Sequence, residues 1–444
     1  MSEELNTTQH DVTDEDRSRL LALAAAGLVV GALAGLVGAA FHLALDAAEH
    51  FRASVLEWAH ASPSAGWLAP VLLAGAAALV AHWLVGRYAP EASGSGVQRV
   101  EEIIRGDVTS MRVAVLPVKF VGGVLALGSG MALGREGPTV HMGATVGYLC
   151  SRLFKLRAGD SRVLLAAGAG AGLAAAFNAP LAGAIFVFEE LLRRFELRIA
   201  VAALAACSAA LAVMRSLIGD HLVFTVPTIQ VELFPGYLMF LALGCVMGAL
   251  GAAYNRMIVA GLDLVDRLRR VPPGVPAAII GGTVGLFAWL WPNLIGGGES
   301  QVQGVLDGGN SVGALGFVFL FRLLLGPLCY APGLPGGLFA PLLVVGATGG
   351  LLFGMAVQTL MPAMTTPLSA FAAVGMGALF VGVVRAPTTG IALVVEMTGA
   401  TSLFVPLLTA CATAIAVPSM LGSSPIYDTL QARDRANRRG IRTE

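Results

Sequence analysis

The chain has 444 residues, 56% of them hydrophobic and only 13% charged, with 56 glycines and a mean hydropathy of +0.77. Those values exclude an ordinary water-soluble globular protein and indicate a polytopic membrane protein. Basic and acidic residues balance at 28 each, so the overall charge suggests no nucleic-acid or acidic partner.

Residues 1–17 carry a polar, acidic start (SEELNTTQHDVTDEDR) without the basic n-region and apolar core of a signal peptide. They are expected to form a cytoplasmic leader. Apolar runs then recur near 20–45, 67–86, 112–133, 163–188, 199–218, 236–260, 274–296, 313–330, 336–360, 366–384 and 403–422. Each can supply the roughly 20 residues that cross a bilayer core, although glycine or proline breaks several. Arginines cluster at Arg193-Arg194, at Arg267 with Arg269-Arg270, and in a basic tail over 431–444 (Arg433, Arg435, Arg438, Arg439, Arg442). The positive-inside rule places that tail in the cytoplasm, so with the leader both termini are expected there. The five cysteines (Cys150, Cys207, Cys245, Cys329, Cys411) form no CxxC pair, and no histidine stands at metal-ligand spacing. They read as structural thiols, and no metal or other cofactor is expected.

An internal repeat runs through the chain in three blocks. Ser95-Gly96-Val97-Gln98-Arg99-Val100 resembles Ser300-Gln301-Val302-Gln303-Gly304-Val305, 205 positions later. Gly134, Pro138, Gly143-Ala144-Thr145 and Gly147 return 203 positions later as Gly337, Pro341, Gly346-Ala347-Thr348 and Gly350. Gly168, Gly170, Pro180, Gly183 and Glu189 return 207 positions later as Gly375, Gly377, Pro387, Gly390 and Glu396. Two membrane repeats, 18–220 and 230–430, are the economical explanation. The glycines of 22–37 and 236–251 also suit close helix packing.

Gly134, Gly137 and Pro138 interrupt one segment, and Gly333, Pro335, Gly336, Gly337 and Pro341 its counterpart, so helices are expected to begin at each break. Corresponding Gly/Pro-interrupted segments are the best pointer to a transporter's binding site. Helix N-termini inside protein present unpaired N–H groups and partial positive charge, which favours an anionic substrate. Glu136 lies in this segment, and its counterpart in the second repeat is Phe339. A carboxylate in an apolar region is a functional-site hypothesis by default.

GSGVQ at 94–98, GREGP at 134–138, GGLFAP at 336–341 and Tyr427 in SSPIYDTL resemble the anion-site signatures of the CLC chloride channel and transporter family, as does AAAFNAPLAGAIFVFEE in its bacterial members. The resemblance spans residues 20 to 430 and implies an all-α fold of two inverted repeats whose broken, tilted helices meet at a central anion site. It assigns the hydroxyls of Ser95 and Tyr427 and the backbone of Leu338, Phe339 and Ala340 to a central chloride site. The backbone around Arg135, Glu136 and Gly137 is assigned to an outer site, and that near Gly94 and Ser95 to an inner one. Neutral donors of this kind replace a halide's hydration without trapping it.

An ionised Glu136 competes with chloride for N–H groups arranged for anions, and protonation releases it, so it reads as gate and proton carrier. Pairing with Arg135 is the bland alternative. The resemblance aligns Glu190 with the inner end of the proton path in coupled members, whereas channel members carry a non-titratable residue there. This favours a proton/chloride antiporter over a passive, gated chloride channel. A cytoplasmic ion-pair network of Glu190 with Arg193 and Arg194 is compatible with that role, and the symmetric Glu189 and Glu396 read as structural.

The first motif departs from the familiar GSGIPE at Gln98 and Arg99, with Arg99 expected to pair with Glu101 or Glu102, or to add positive potential, and Lys119 another candidate partner for Glu101. Within the family it resembles, serine at position 95 goes with chloride rather than nitrate, and Tyr427 sets the chain apart from the fluoride-exporting members. His141 reads as a satisfied polar group on the helix after Glu136. An intramembrane enzyme using the buried acids has no nucleophile or metal motif behind it. The resemblance further implies a homodimer with a complete pathway per subunit in the lipid bilayer, and the alanine and arginine content points to a bacterial inner membrane. The 17 residues after Tyr427 leave no room for the nucleotide-sensing domains of many eukaryotic members.

Overall fold

The computed structural model describes residues 14–62, 65–108, 110–226, 236–268, 271–308 and 311–441. The leader up to residue 13, Arg269-Arg270 and Arg442 lie outside the described residues, as do the side chains of Arg438 and Arg439. Among the described residues the first half forms eight α-helices: α1 (Asp14–His60), α2 (Leu68–Tyr88), α3 (Val97–Arg105), α4 (Val115–Gly128), α5 (Glu136–Leu153), α6 (Ala158–Phe177), α7 (Pro180–Phe186) and α8 (Leu197–Ile218). The second half repeats the order: α9 (Gly236–Arg267), α10 (Val275–Leu290), α11 (Glu299–Asp307), α12 (Val312–Tyr330), α13 (Phe339–Leu360), α14 (Leu368–Val384), α15 (Pro387–Thr398) and α16 (Phe404–Met420). A basic helix, α17 (Ile426–Ile441), follows.

The packing repeats as well as the order. α1 lies on α8, and α9 on α16; α5 lies on α6, and α13 on α14. The glycines shared by the repeats explain the second pair. A Cβ at Gly143 would overlap the carbonyl oxygen of Gly168, and one at Gly346 that of Gly375, so both helix pairs close backbone to backbone. Gly27, Gly31 and Gly35 of α1 likewise abut the backbone of Ala202, Ala206 and Ala210 on α8, the small-residue packing expected of that stretch. Across the repeats, counterparts meet each other: α2 packs on α10 and α7 on α15. The repeats are inverted, and their central loops pair antiparallel at Gly134 and Gly337.

Seven helices among the described residues are long and apolar enough to cross a membrane. Several of the apolar runs fall short of a span. α4, α10 and α14 have 14, 16 and 17 residues, and the 163–188 run breaks at Asn178, which adopts φ 53° and ends α6. The broken helices near the centre lie inside protein, with α5, α6, α13 and α14 buried along most of their length. Irregular backbone at membrane depth is tolerated where protein surrounds it.

Ion pairs gather the chain ends. Asp160 at the start of α6 binds Arg19 of α1 at 2.8 Å and lies 3.8 Å from Arg198 of α8. α17 is tied to the end of α3 through Arg435 with Asp107 and through Asp428 with Arg105, and to α9 through Arg433 with Asp263 and Asp266. Arg162 of α6 in turn approaches Gly106 at the end of α3. Both described ends of the chain therefore lie at one end of the molecule.

Candidate functional site

Three glycine-containing turns from distant parts of the sequence are stitched together by backbone hydrogen bonds. Gly134 and Gly337 exchange N–H···O bonds of 2.9 and 2.7 Å, Gly336 donates to the Gly94 carbonyl at 3.1 Å, and Gly94 donates to that of Gly333 at 3.3 Å. The Ser93 hydroxyl adds a bond to the Gly333 carbonyl at 2.9 Å. Helices α5 and α13 start immediately after these turns, at Glu136 and Phe339, so the breaks become helix N-termini as the glycines and prolines predict. Two N-termini thus point into one buried spot, each with unpaired N–H groups.

The Glu136 carboxylate occupies that spot. Its Oε1 accepts the N–H of Phe339 at 2.5 Å and that of Ala340 at 3.3 Å, both at the start of the opposite repeat's helix. Glu136 is buried, and its Oε2 has no hydrogen-bond partner among the described residues. The slot exists because Gly134 and Gly337 lack side chains: a Cβ on either would overlap the carboxylate oxygens. Arg135 does not pair with Glu136. Its guanidinium turns outward, donating to the Ala176 carbonyl at 3.1 Å, contacting His42 Nδ1, and bridging to Glu299 at 3.0 Å.

The other predicted residues surround this point. A Cβ on Gly137 would lie 2.7 Å from Ser95 Oγ and 2.9 Å from the Gly337 Cα, which places Ser95 against both turns. Leu338 precedes α13 and is buried. The Tyr427 ring lies 6.3 Å from that of Phe339. The Ser95 and Tyr427 hydroxyls are neighbours, yet neither has a partner at hydrogen-bonding geometry among the described residues. Gly94, Ser95, Gly137, Leu338, Phe339, Ala340 and Tyr427 therefore gather around the Glu136 carboxylate, while the Arg135 side chain points away from it.

Lys119 corrects a sequence expectation. It donates to the carbonyls of Gly94 at 2.5 Å and Ser95 at 3.1 Å and is wholly buried; Glu101 is held instead by Gln431 and by Arg105 at 3.2 Å. The sequence offered Glu101 as a partner, but α4 packs behind the Gly94 turn, where the Lys119 ammonium meets two backbone carbonyls. Arg99 pairs with Glu102 at 3.1 Å, one of the two expected partners. His141 is not a satisfied polar group. Both ring nitrogens are buried without a partner among the described residues, and the ring fills the space that a Cβ on Gly96 would take.

Glu190 sits away from this cluster, in a wider π-helical turn over Val187–Leu191 that follows α7. Such turns re-aim side chains and are frequent at functional sites. Glu190 Oε1 lies 3.8 Å from Arg193, which binds Asp428 at 2.9 Å, whereas Arg194 pairs with Glu196 rather than Glu190 because the chain turns at Arg193 (φ 51°). Glu101 is a carboxyl neighbour of Glu190. Phe186, just ahead of that turn, packs edge-on against Phe339 at 6.3 Å, which connects the Glu190 turn to the central cluster through aromatic rings.

Three clefts reach this arrangement. One of about 580 Å³ is lined by His42, Arg135, Glu299, Gly134 and Ala340. A second, of about 560 Å³, is lined by Gly94, Gln98, Arg99, Tyr330 and Arg433. A third, of about 640 Å³, is lined by Glu189, Glu190, Arg193 and Asp428. The last two flank α17 and share no lining residue.

Fold and site together define a membrane transport protein, with inverted repeats placing broken-helix N-termini around a central anion-like group. The model of the voltage gated chloride channel family matches residues 77–419, and the chain belongs to that family. It is 41% identical over 419 residues to an H(+)/Cl(-) exchange transporter ClcA of Vibrio campbellii, covering 92% of this chain and 89% of the relative. It is 37% identical over 434 residues to the ClcA of Salmonella arizonae, covering 94% and 89%. The solved structure of a slow cyanobacterial Cl-/H+ antiporter superposes with a TM-score of 0.89 at 34% identity, covering 93% of this chain and 98% of that one.

Proposed function

We propose that this protein is a secondary active transporter that exchanges chloride for protons, with Glu136 as anion gate and proton carrier and Glu190 as the internal proton-transfer residue. The observation that carries the reading is the Glu136 carboxylate held by the Phe339 and Ala340 N–H groups. A carboxylate there is a tethered anion on donors that suit a halide. Protonation removes its charge and weakens its hold, chloride takes the donors, and loss of the proton lets the carboxylate return. One proton thus moves against the anion.

Chloride approaches the Gly94–Ser95 turn through the cleft lined by Gln98, Arg99 and Tyr330, and meets the Ser95 and Tyr427 hydroxyls. Protons enter by the separate cleft at Glu190. Ser95 supports chloride over nitrate, and Tyr427 speaks against fluoride. The arginine-rich end that holds both described chain ends faces the cytoplasm of a bacterial inner membrane by the positive-inside rule. The chain works as a homodimer in which each subunit carries its own site, since one chain brings every site residue together. It carries out transport and no covalent catalysis.

The test is chloride and proton flux in liposomes with Glu136→Gln and Glu190→Gln. Glu190→Gln is expected to keep chloride flux and lose proton coupling. Glu136→Gln is expected to lose both coupling and the pH dependence of chloride flux. Wild-type coupling in Glu190→Gln would remove that residue from the mechanism.

A further inference from the structure

Tyr330 ends α12, is 2% exposed, and in the proposed exchange does no more than line the chloride cleft. Its hydroxyl oxygen accepts the backbone N–H of Ser95 at 3.3 Å. The Gln98 side chain meets the same hydroxyl, and the Gln98 Oε1 is buried without a partner among the described residues. Gly94 makes the approach possible, because a Cβ there would lie 2.8 Å from the phenol oxygen, on a backbone at φ +59°. Gly94, Gln98 and Tyr330 all line the same cleft of about 560 Å³.

Lys119 gives this contact a direction. It ties the carbonyls of Gly94 and Ser95, so the turn's carbonyls face α4. Its Ser95 N–H faces the phenol. A buried N–H must be paired, and a halide arriving through the cleft is a better acceptor for it than a neutral phenol oxygen. At the far side of the site the Phe339 and Ala340 N–H groups are covered by Glu136. The two sides are therefore closed by protein oxygens of different kinds, one from a carboxylate and one from a neutral phenol.

We infer that the Tyr330 hydroxyl is a displaceable latch on the Ser95 N–H, covering this donor when no anion is bound and yielding it to chloride from the cleft. Tyr330 thereby lowers the apparent chloride affinity without carrying protons. Removing the oxygen leaves the N–H unpaired in the anion-free protein and removes the competitor, and both effects favour the bound anion.

The inference rests on the chloride reading, and titration calorimetry with sodium chloride on detergent-purified wild type and Tyr330→Phe separates the two. Tyr330→Phe is expected to bind chloride about three- to tenfold more tightly, the equivalent of one net hydrogen bond. Its unfolding temperature in chloride-free buffer should fall below that of wild type and rise more steeply with added chloride. Wild type binding chloride with unchanged or weaker affinity in Tyr330→Phe overturns the latch alone. Absence of chloride binding in both proteins overturns the chloride reading itself and the latch with it.

Discussion

At the scale of single residues, the site works by presenting many weak donors and few fixed charges. Glu136 is half-satisfied, with one oxygen on two N–H groups and the other unpartnered, so little holds it beyond its charge. Lys119 is the fixed cation closest to the Gly94 turn, and it acts through carbonyls rather than on the anion directly. Lys119→Met removes the donor shared by the Gly94 and Ser95 carbonyls, leaving the Gly94 carbonyl only the Gly336 N–H, and releases the orientation of the Ser95 N–H. Chloride affinity measured by calorimetry is expected to fall about tenfold, the scale of one charge-assisted bond. Unchanged affinity would mean that the turn keeps its shape without the ammonium. Glu136 was legible in the sequence because a lone carboxylate in a duplicated apolar framework has no structural excuse. The Lys119 partners were not legible, since carbonyl acceptors leave no trace in side-chain identity. Tyr330 was invisible for a related reason: a tyrosine in an apolar run reads as core until its oxygen is placed.

At the scale of elements, the repeats lock each other by exchanging caps. Glu396 of α15 accepts the N–H groups of Leu181 at 3.0 Å and Ala182 at 2.7 Å, at the start of α7. Glu189, just after α7, accepts those of Thr388 at 2.9 Å and Thr389 at 2.7 Å, at the start of α15. Each carboxylate satisfies orphan N–H groups and meets the positive end of a helix dipole. Symmetry in the sequence announced a structural duty for both, but the partner was unreadable because capped amides carry no side-chain signature. Glu189→Ala and Glu396→Ala are each expected to destabilise by about 1–3 kcal/mol. Thermal unfolding in detergent should show that loss while the proton-to-chloride ratio of reconstituted protein stays at its wild-type value. A changed ratio in either variant would draw these residues into the pathway. The helix starts at Glu136 and Phe339 were predicted from glycine and proline, whereas the shortness of α4, α10 and α14 was not. Composition cannot tell a lipid-spanning run from one ended inside protein.

At the scale of the whole molecule, inversion is what creates the site. Gly134 and Gly337 can pair antiparallel, and α5 and α13 can present their N-termini to one carboxylate, only because the two repeats approach from opposite directions. The three repeated blocks made the duplication legible in the sequence, but block spacing is the same for parallel and inverted repeats, so the inversion was expected only from the family resemblance. The separation of the Glu190 cleft from the Tyr330 cleft by α17 could not be foreseen, because it depends on ion pairs of Asp428 and Arg433 with residues far away in sequence. Two clefts with no shared lining residue suit the proposed exchange, in which chloride would go to the N–H donors and the proton to the carboxylate by different routes.

The most direct test of the central claim is proton uptake by liposomes that hold the wild-type protein and are given a chloride gradient with no initial pH difference. Coupled exchange predicts protons driven uphill until the chloride gradient decays, with a reproducible ratio of the two fluxes. Chloride movement without accompanying protons would contradict the account and make Glu136 the gate of a passive pore.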